Sequence, residues 1–219
     1  MEQLADKGNG NYAYIDNMNE AQKVLVDELS STLATIAKDV KIQIEWNPAV
    51  VSEYRLIGYN NRILNREDFN NDQVDAGEIG AGHSVTALYE VTLVDGDRPR
   101  IDPLRYGAAQ AEVSAGTGTG NELAFLRLRY KEPDAAQSKL IEQVIATESV
   151  VNEINKTSDR YRFSAAVAGF GQLLRGAQYS GSFDYAAVKN LAQRARGQDE
   201  YGYRGEFIRL VNLAFGLSR

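Results

Sequence analysis

Val40-Lys41-Ile42-Gln43-Ile44-Glu45-Trp46 alternates apolar and polar side chains without a break and is closed by Asn47-Pro48. Successive side chains of a strand point to opposite faces. This period of two therefore predicts a half-buried β-strand with Val40, Ile42, Ile44 and Trp46 inward and Lys41, Gln43 and Glu45 outward. Further strands are expected over residues 50–59, 84–94 and 122–130, with a weaker one over 108–113. Turn-forming clusters divide them: Asn60-Asn61, residues 70–72, Asp95-Gly96-Asp97 and the glycine-rich 116–120. No helical period falls between these runs, so the strands are expected to pair antiparallel, in a sandwich rather than a doubly wound sheet.

The period differs on both sides of this β-rich body. Upstream, Tyr12-Ala13-Tyr14-Ile15 follows a Gly8-Asn9-Gly10 turn and reads as a buried strand. A helix is expected next. Asn17 can cap it with Glu20 three residues on, and Ala21, Leu25, Leu29, Leu33 and Ile36 recur on one face. One strand and one helix cannot bury both their faces, so this stripe needs the next domain or another copy of the chain to lie on. Downstream of Glu132-Pro133-Asp134 the alternation stops, and residues 135–152 read as helical. Three short amphipathic helices follow. Ser158 caps the first, which carries Phe163, Val167, Phe170 and Leu174 and is closed by Arg175-Gly176. Ser182 caps 183–196, closed by Gly197, and 203–215 carries Phe207, Leu210, Val211 and Ala214.

With 43% hydrophobic and 25% charged residues, the 219-residue chain has the composition of a folded globular protein, which argues against disorder as a whole. No apolar run approaches the roughly 20 residues that cross a bilayer, and residues 1–7 lack the pattern of a secretory signal. Without cysteine there are no disulfides or thiolate metal sites. The net charge of −6 is uneven: residues 154–219 carry 10 Lys/Arg against 5 Asp/Glu, the preceding ones 14 against 25. A basic helical segment docked on an acidic body is the expectation, not a nucleic-acid surface, because the basic residues are scattered.

Several stretches resemble the bacterial YfbK-like proteins: residues 4–17, residues 39–45, residues 54–59, Glu67-Asp68-Phe69-Asn70 with 75–89, residues 163–171, and Gly202-Tyr203-Arg204-Gly205-Glu206-Phe207. In that family a von Willebrand factor A domain precedes a distinctive C-terminal region. The resemblance implies that residues 1–37 are the last strand and helix of such a domain, that 38–132 form the β-sandwich-like domain, and that 133–219 form a helical subdomain, an α+β chain overall. The Asp-x-Ser-x-Ser motif that would hold Mg²⁺ in the A domain is absent here, so Mg²⁺ is expected only in a domain upstream. Residues 4–17 and the helix after them are thus expected to be the tail of a longer protein, and the bacterial envelope or periplasm is the compartment the family implies.

Candidate sites are few. Asp68, Asn70 and Asp72, with Asp75 and Glu78 nearby, could turn alternate oxygens toward one Ca²⁺, although Gln73 and Ile79 stand where an EF-hand has glycine and glutamate. A solvated acidic loop is the plain alternative. His83 is the single histidine and is expected to be a surface or hydrogen-bonding residue at a strand edge, too close in sequence to Ser84 for a triad. The 116–120 loop lacks the Gly-Lys-Ser/Thr of a phosphate site, and Asn155-Lys156-Thr157 is only a formal glycosylation sequon. Arg127, Arg129 and Lys131 form a basic row on their strand, expected to face acidic neighbours such as Glu90. These observations point to a non-enzymatic interaction or scaffold module with a protein partner and no cofactor of its own, able to self-associate through the helix from Asn19 to Ile36. A carbohydrate- or polyanion-binding sandwich is the alternative, with Trp46, Tyr54 and Tyr59 as its exposed aromatics.

Overall fold

The structure is a computed structural model that describes residues 12–29, 34–58, 64–94, 96, 119–176, 181 and 183–218. The fold is α+β with antiparallel sheets. The chain forms two compact units, one from residues 1–48, 62–86 and 112–145, the other from 49–61, 87–111 and 146–219. Among the described residues no helix is long and apolar enough to cross a membrane.

The first unit is organised on β1 (Thr35–Trp46), the twelve-residue strand that contains the alternating run. With β2 (Val51–Ile57) assigned to the second unit, β1 pairs antiparallel with β3 (Gly77–Gly80) on one side and, after β4 (Leu88–Leu93), with β5 (Glu122–Lys131) on the other. β6 (Lys139–Ala146) lies against the far side of β5, giving the order β3-β1-β5-β6. A bulge interrupts β1: the register with β5 shifts between Lys38 and Lys41, and that with β3 between Ala37 and Val40. Beyond the bulge the pairing is regular to Trp46, yet the cover differs from the expected one. Lys41, expected outward, is 4% exposed, and Ile42, expected inward, is exposed.

Two other expectations for this unit change. Residues 12–16 have no regular structure and Tyr12, Tyr14 and Ile15 are exposed, so the buried strand is not formed. The following helix is short: α1 (Met18–Gln22) is capped by Asn17, whose side chain accepts from Glu20 N–H at 2.9 Å, and passes into a π-turn (Lys23–Asp27). Ile36 is in β1 and Leu33 is outside the described residues, so the described part of the stripe is Ala21, Leu25 and Leu29. Helices take most of their stability from a packed face, and here Leu25, Val26 and Leu29 are exposed. Residues 139–146 form β6 in place of the expected helix. Leu140, Ile141, Val144 and Ile145 fit either period, and pairing with β5 decides between them.

The second unit joins the antiparallel β2/β4 pair to three helices. Its register sets Arg55 opposite Glu90 and Ile57 opposite Leu88. α2 (Asp159–Leu174) starts at Ser158, whose hydroxyl accepts from Tyr161 N–H at 3.2 Å, and ends before Gly176 at φ +97°. Both ends agree with the sequence reading. α3 (Tyr185–Arg194) is capped by Asp184, which accepts from Ala187 N–H at 2.8 Å, two residues later than the expected Ser182. α4 (Tyr203–Leu217) begins at Gly202 without a side chain to cap it. Asp199 supplies the acceptors instead, taking the N–H groups of Arg204 and Gly205 at 3.0 and 2.8 Å. Burial raises the Asp199 carboxyl, but these N–H groups and Arg196 outweigh it and hold its pKa below the ordinary value.

Ala166, Val188, Leu191, Ala192, Ile208 and Val211 are the buried centre of this unit. Phe207 fits between Phe163 and Phe170 with both ring centroids at 5.4 Å, and the Arg204 guanidinium lies 4.9 Å above the Phe163 ring. The expected strand over 108–113 and most of the 116–120 loop lie outside the described residues.

Candidate functional site

The acidic loop read as a calcium candidate runs through a 3-10 turn (Arg66–Asn70) whose Phe69 is buried. A cation does reach this loop, on a side chain. Lys41 Nζ, from the bulged strand β1, donates to the backbone carbonyls of Asp68 (3.3 Å) and Asn71. Lys131 Nζ, from β5, donates to the carbonyl of Asp72 and to Asp39 Oδ2, both at 2.7 Å. The carboxylates have other partners: Asp68 Oδ2 accepts from Asn65 Nδ2 at 3.0 Å, and Asp72 Oδ2 from Ser138 N–H at 3.3 Å. Asn70 is exposed. Among the described residues, no three histidine, aspartate or glutamate side chains come close enough together to hold a metal ion. The loop's oxygens are thus arranged around two ammonium groups of the chain itself.

Asp39 is the hinge of this cluster. It sits in the β1 bulge at φ +49°, the one non-glycine residue with positive φ among the described residues, and its Oδ1 accepts from Ala76 N–H at 3.3 Å. Burial pushes its carboxyl up, but the hydrogen bonds from Lys131 and Ala76 and the Lys131 charge bring it below the ordinary value. Asp75 moves the other way. Burial, and then the hydrogen bond and charge of Asp39, hold it above that value, with Glu78 adding to the repulsion. Two neighbouring carboxylates thus differ in acidity: Lys131 and Ala76 lower Asp39, while burial and Asp39 itself raise Asp75. Sequence reading passed over Asp39 and gave Lys131 only a place in the basic row. The signal that could have found the pair was Asp39 itself, since aspartate is disfavoured inside a strand.

The basic row of β5 finds acidic or polar partners, though not the expected Glu90. Arg127 Nε stands 3.6 Å from Glu142 of β6, Arg129 Nη1 donates to Ser138 Oγ at 3.0 Å, and Lys131 takes Asp39. Glu90 belongs to the other sheet, where Arg55 Nε donates to it at 2.6 Å. His83 is exposed, its N–H donating to Gly80 O at 3.1 Å. Of the named aromatics, Trp46 is half-buried on the four-stranded sheet, Tyr54 is exposed on the two-stranded one, and Tyr59 lies outside the described residues.

Each unit has a cavity. In the second, about 290 Å³ lies between the β2/β4 pair and α2, with Ile57, Leu88, Ala165, Ala168 and Gly169 along it. Arg55 closes one end by donating to Glu90 and, at 3.3 Å, to Gln172 Oε1. Phe183 enters against Gly169, where a Cβ would stand 2.2 Å from its ring. The cavity of the first unit, about 360 Å³, is lined by Tyr12, Val24, Leu25, Leu29, Glu78 and His83 among others.

A family model described as "Uncharacterized protein YfbK, C-terminal" matches residues 31–217. The chain belongs to the YfbK C-terminal family. It is 50% identical over 218 residues to "Uncharacterized protein YfbK" of Escherichia coli (strain K12), a match that takes in 100% of this chain and 36% of that relative. The chain thus spans about a third of the length of the curated relative it matches. No solved structure matches. The YfbK C-terminal match begins after α1 and the π-turn, so residues 12–29 precede the family-defining region while still aligning with the E. coli protein.

Proposed function

We propose that this chain is a non-enzymatic interaction or scaffold module, the C-terminal part of a longer bacterial envelope protein whose preceding part is a metal-dependent von Willebrand factor A domain. In this reading any Mg²⁺ belongs to the preceding domain. The observation that carries it is the exposure of Tyr12, Tyr14, Ile15, Met18, Leu25, Val26 and Leu29, with Tyr14 at 71% and Met18 at 82%. So dense a run of exposed apolar side chains marks a surface made to be covered. It lies just ahead of residue 31, where the family match starts, in a chain that covers 36% of its relative. Residues 12–29 then close the preceding domain, and the module is presented next to it.

Hydrogen exchange over residues 12–29 tests this, compared between the 219-residue chain and the longer protein that includes the preceding part. Slower exchange in the longer protein, reversed by Leu25→Asp with Leu29→Asp, supports the reading. Equal exchange in both forms overturns it.

A further inference from the structure

β6 is the last strand of its sheet, with β5 on one side and no described strand on the other. Residues 139–144 are all exposed, on both faces of the sheet, and they include Leu140 at 43%, Ile141 at 52% and Val144 at 39%. An open strand edge carries a row of backbone donors and acceptors and is ready to pair with another strand. Apolar side chains on both faces of that edge add the cross-strand contacts that stabilise such a pair.

We infer that β6 is a dimerisation edge, paired antiparallel with β6 of a second copy of this chain about a two-fold axis at Gln143. The choice of occupant comes from charge and register. A two-fold axis perpendicular to the sheet keeps each side chain on its own face, so the axis must pass through a residue, which leaves few registers. An axis at Glu142 sets two carboxylates against each other. An axis at Ile141 sets Leu140 against Glu142, and an axis at Val144 leaves Leu140 and Ile141 uncovered. The axis at Gln143 pairs Ile141 with Ile145 and Leu140 with Ala146, and places the two Gln143 amides together. Glu142 then lies opposite Val144 while Arg127, 3.6 Å away on β5, balances its charge. Gln143 Nε2 already donates to the carbonyl of Val144 at 2.9 Å, a contact along the strand that an opposing amide can replace. The result is an eight-stranded sheet continuous across two copies, an association distinct from the one expected of the N-terminal helix and independent of any preceding domain.

The absence of cysteine makes the register directly testable. Directly opposed residues of an antiparallel pair bring their Cβ atoms close to disulfide distance. Under a glutathione redox buffer, Gln143→Cys is expected to cross-link to itself about tenfold faster or more than Ile141→Cys or the exposed control Val151→Cys, because pairing raises the effective concentration at that position alone. Sedimentation velocity of the unmodified chain is expected to show a concentration-dependent dimer, lost in Ile141→Lys with an unchanged circular dichroism spectrum. Cross-linking of Gln143→Cys no faster than the control overturns the proposal. So does a monomer at every concentration, or a dimer that persists in a folded Ile141→Lys chain. If Ile141→Lys fails to fold, the cysteine rates decide.

Discussion

Asp39 and Lys131 meet at 2.7 Å between β1 and β5, and the carboxylate that makes this pair stands on a residue held at φ +49°. The left-handed region costs a residue with a Cβ about 1–2 kcal/mol, and aspartate tolerates it better than most because its short polar side chain bonds locally. Here that side chain binds Ala76 N–H and Lys131 together, tying the bulge to β5 and to the loop that leads into β3. Strain and electrostatics are therefore joined at one position.

Asp39→Ala removes the bonds and keeps the strain, and is expected to destabilise the chain by about 1–3 kcal/mol. Asp39→Gly removes both and should cost less. Urea unfolding of the two variants separates the contributions; an alanine variant as stable as the glycine one would show that the backbone at this bulge is not strained.

The same cluster sets a dependence on pH. Asp39 is depressed below 3.8 in the folded chain, so its contribution is complete above 3.8 and lost as pH falls through the lower folded value. Lys131 is raised above 10.5, first by its bond to Asp39, so its contribution is complete below 10.5 and lost as pH rises through the higher folded value. Asp75, raised above 3.8, runs opposite to Asp39: its contribution is complete below 3.8 and lost as pH rises through the folded value. Asp75→Asn is accordingly expected to raise the melting temperature at pH 7 relative to the unsubstituted chain, with the advantage shrinking toward pH 3. A uniform shift across that range would refute the coupling with Asp39.

Lys41→Met retains an aliphatic stem at a buried position and deletes the ammonium that the Asp68 and Asn71 carbonyls accept from. These carbonyls are part-buried and partly open to water, so guanidinium unfolding should show a loss of about 1 kcal/mol. Isothermal calorimetry with Ca²⁺ on the unsubstituted chain is expected to give no binding heat, since the loop carbonyls already face Lys41 and Lys131. A saturable heat would restore Asp68, Asn70 and Asp72 as calcium ligands.

Gly169→Ala is expected to be more damaging than its position inside α2 suggests. Alanine is the better helix former, but its Cβ would lie 2.2 Å from Phe183 Cε1 and 2.8 Å from Cδ1. Overpacking of this kind costs about 1–3 kcal/mol. Adding Phe183→Leu should recover part of the loss; if the single variant is instead stabilised, as propensity alone predicts, Phe183 has room to move.

Elements with strong local signals are legible in the amino-acid sequence. Ser158 with the closing Gly176, and the strands that carry Arg55 and Glu90, though not their pairing, follow from capping chemistry and alternation within a few residues. So does the Asn17 cap of α1. Where the local signal is ambiguous the neighbours decide. Leu140, Ile141, Val144 and Ile145 suit a helix or a strand alike, and the edge of β5 makes them β6. Lys41 reads as a solvated residue on a polar face, and only the carbonyls of a loop some thirty residues away make it the buried one.

By itself the sequence determined the α+β class, the antiparallel pairing, the C-terminal helices with two of their boundaries, and, through its resemblance, the family. These rest on capping, period and composition, which act over a few residues along the chain. Tertiary structure alone decided which face of β1 is covered, which acids the basic row of β5 meets, and that β6 is an exposed edge. Each of those depends on residues far apart in sequence, where the burial of one charge is stabilised only by a partner that the fold brings to it.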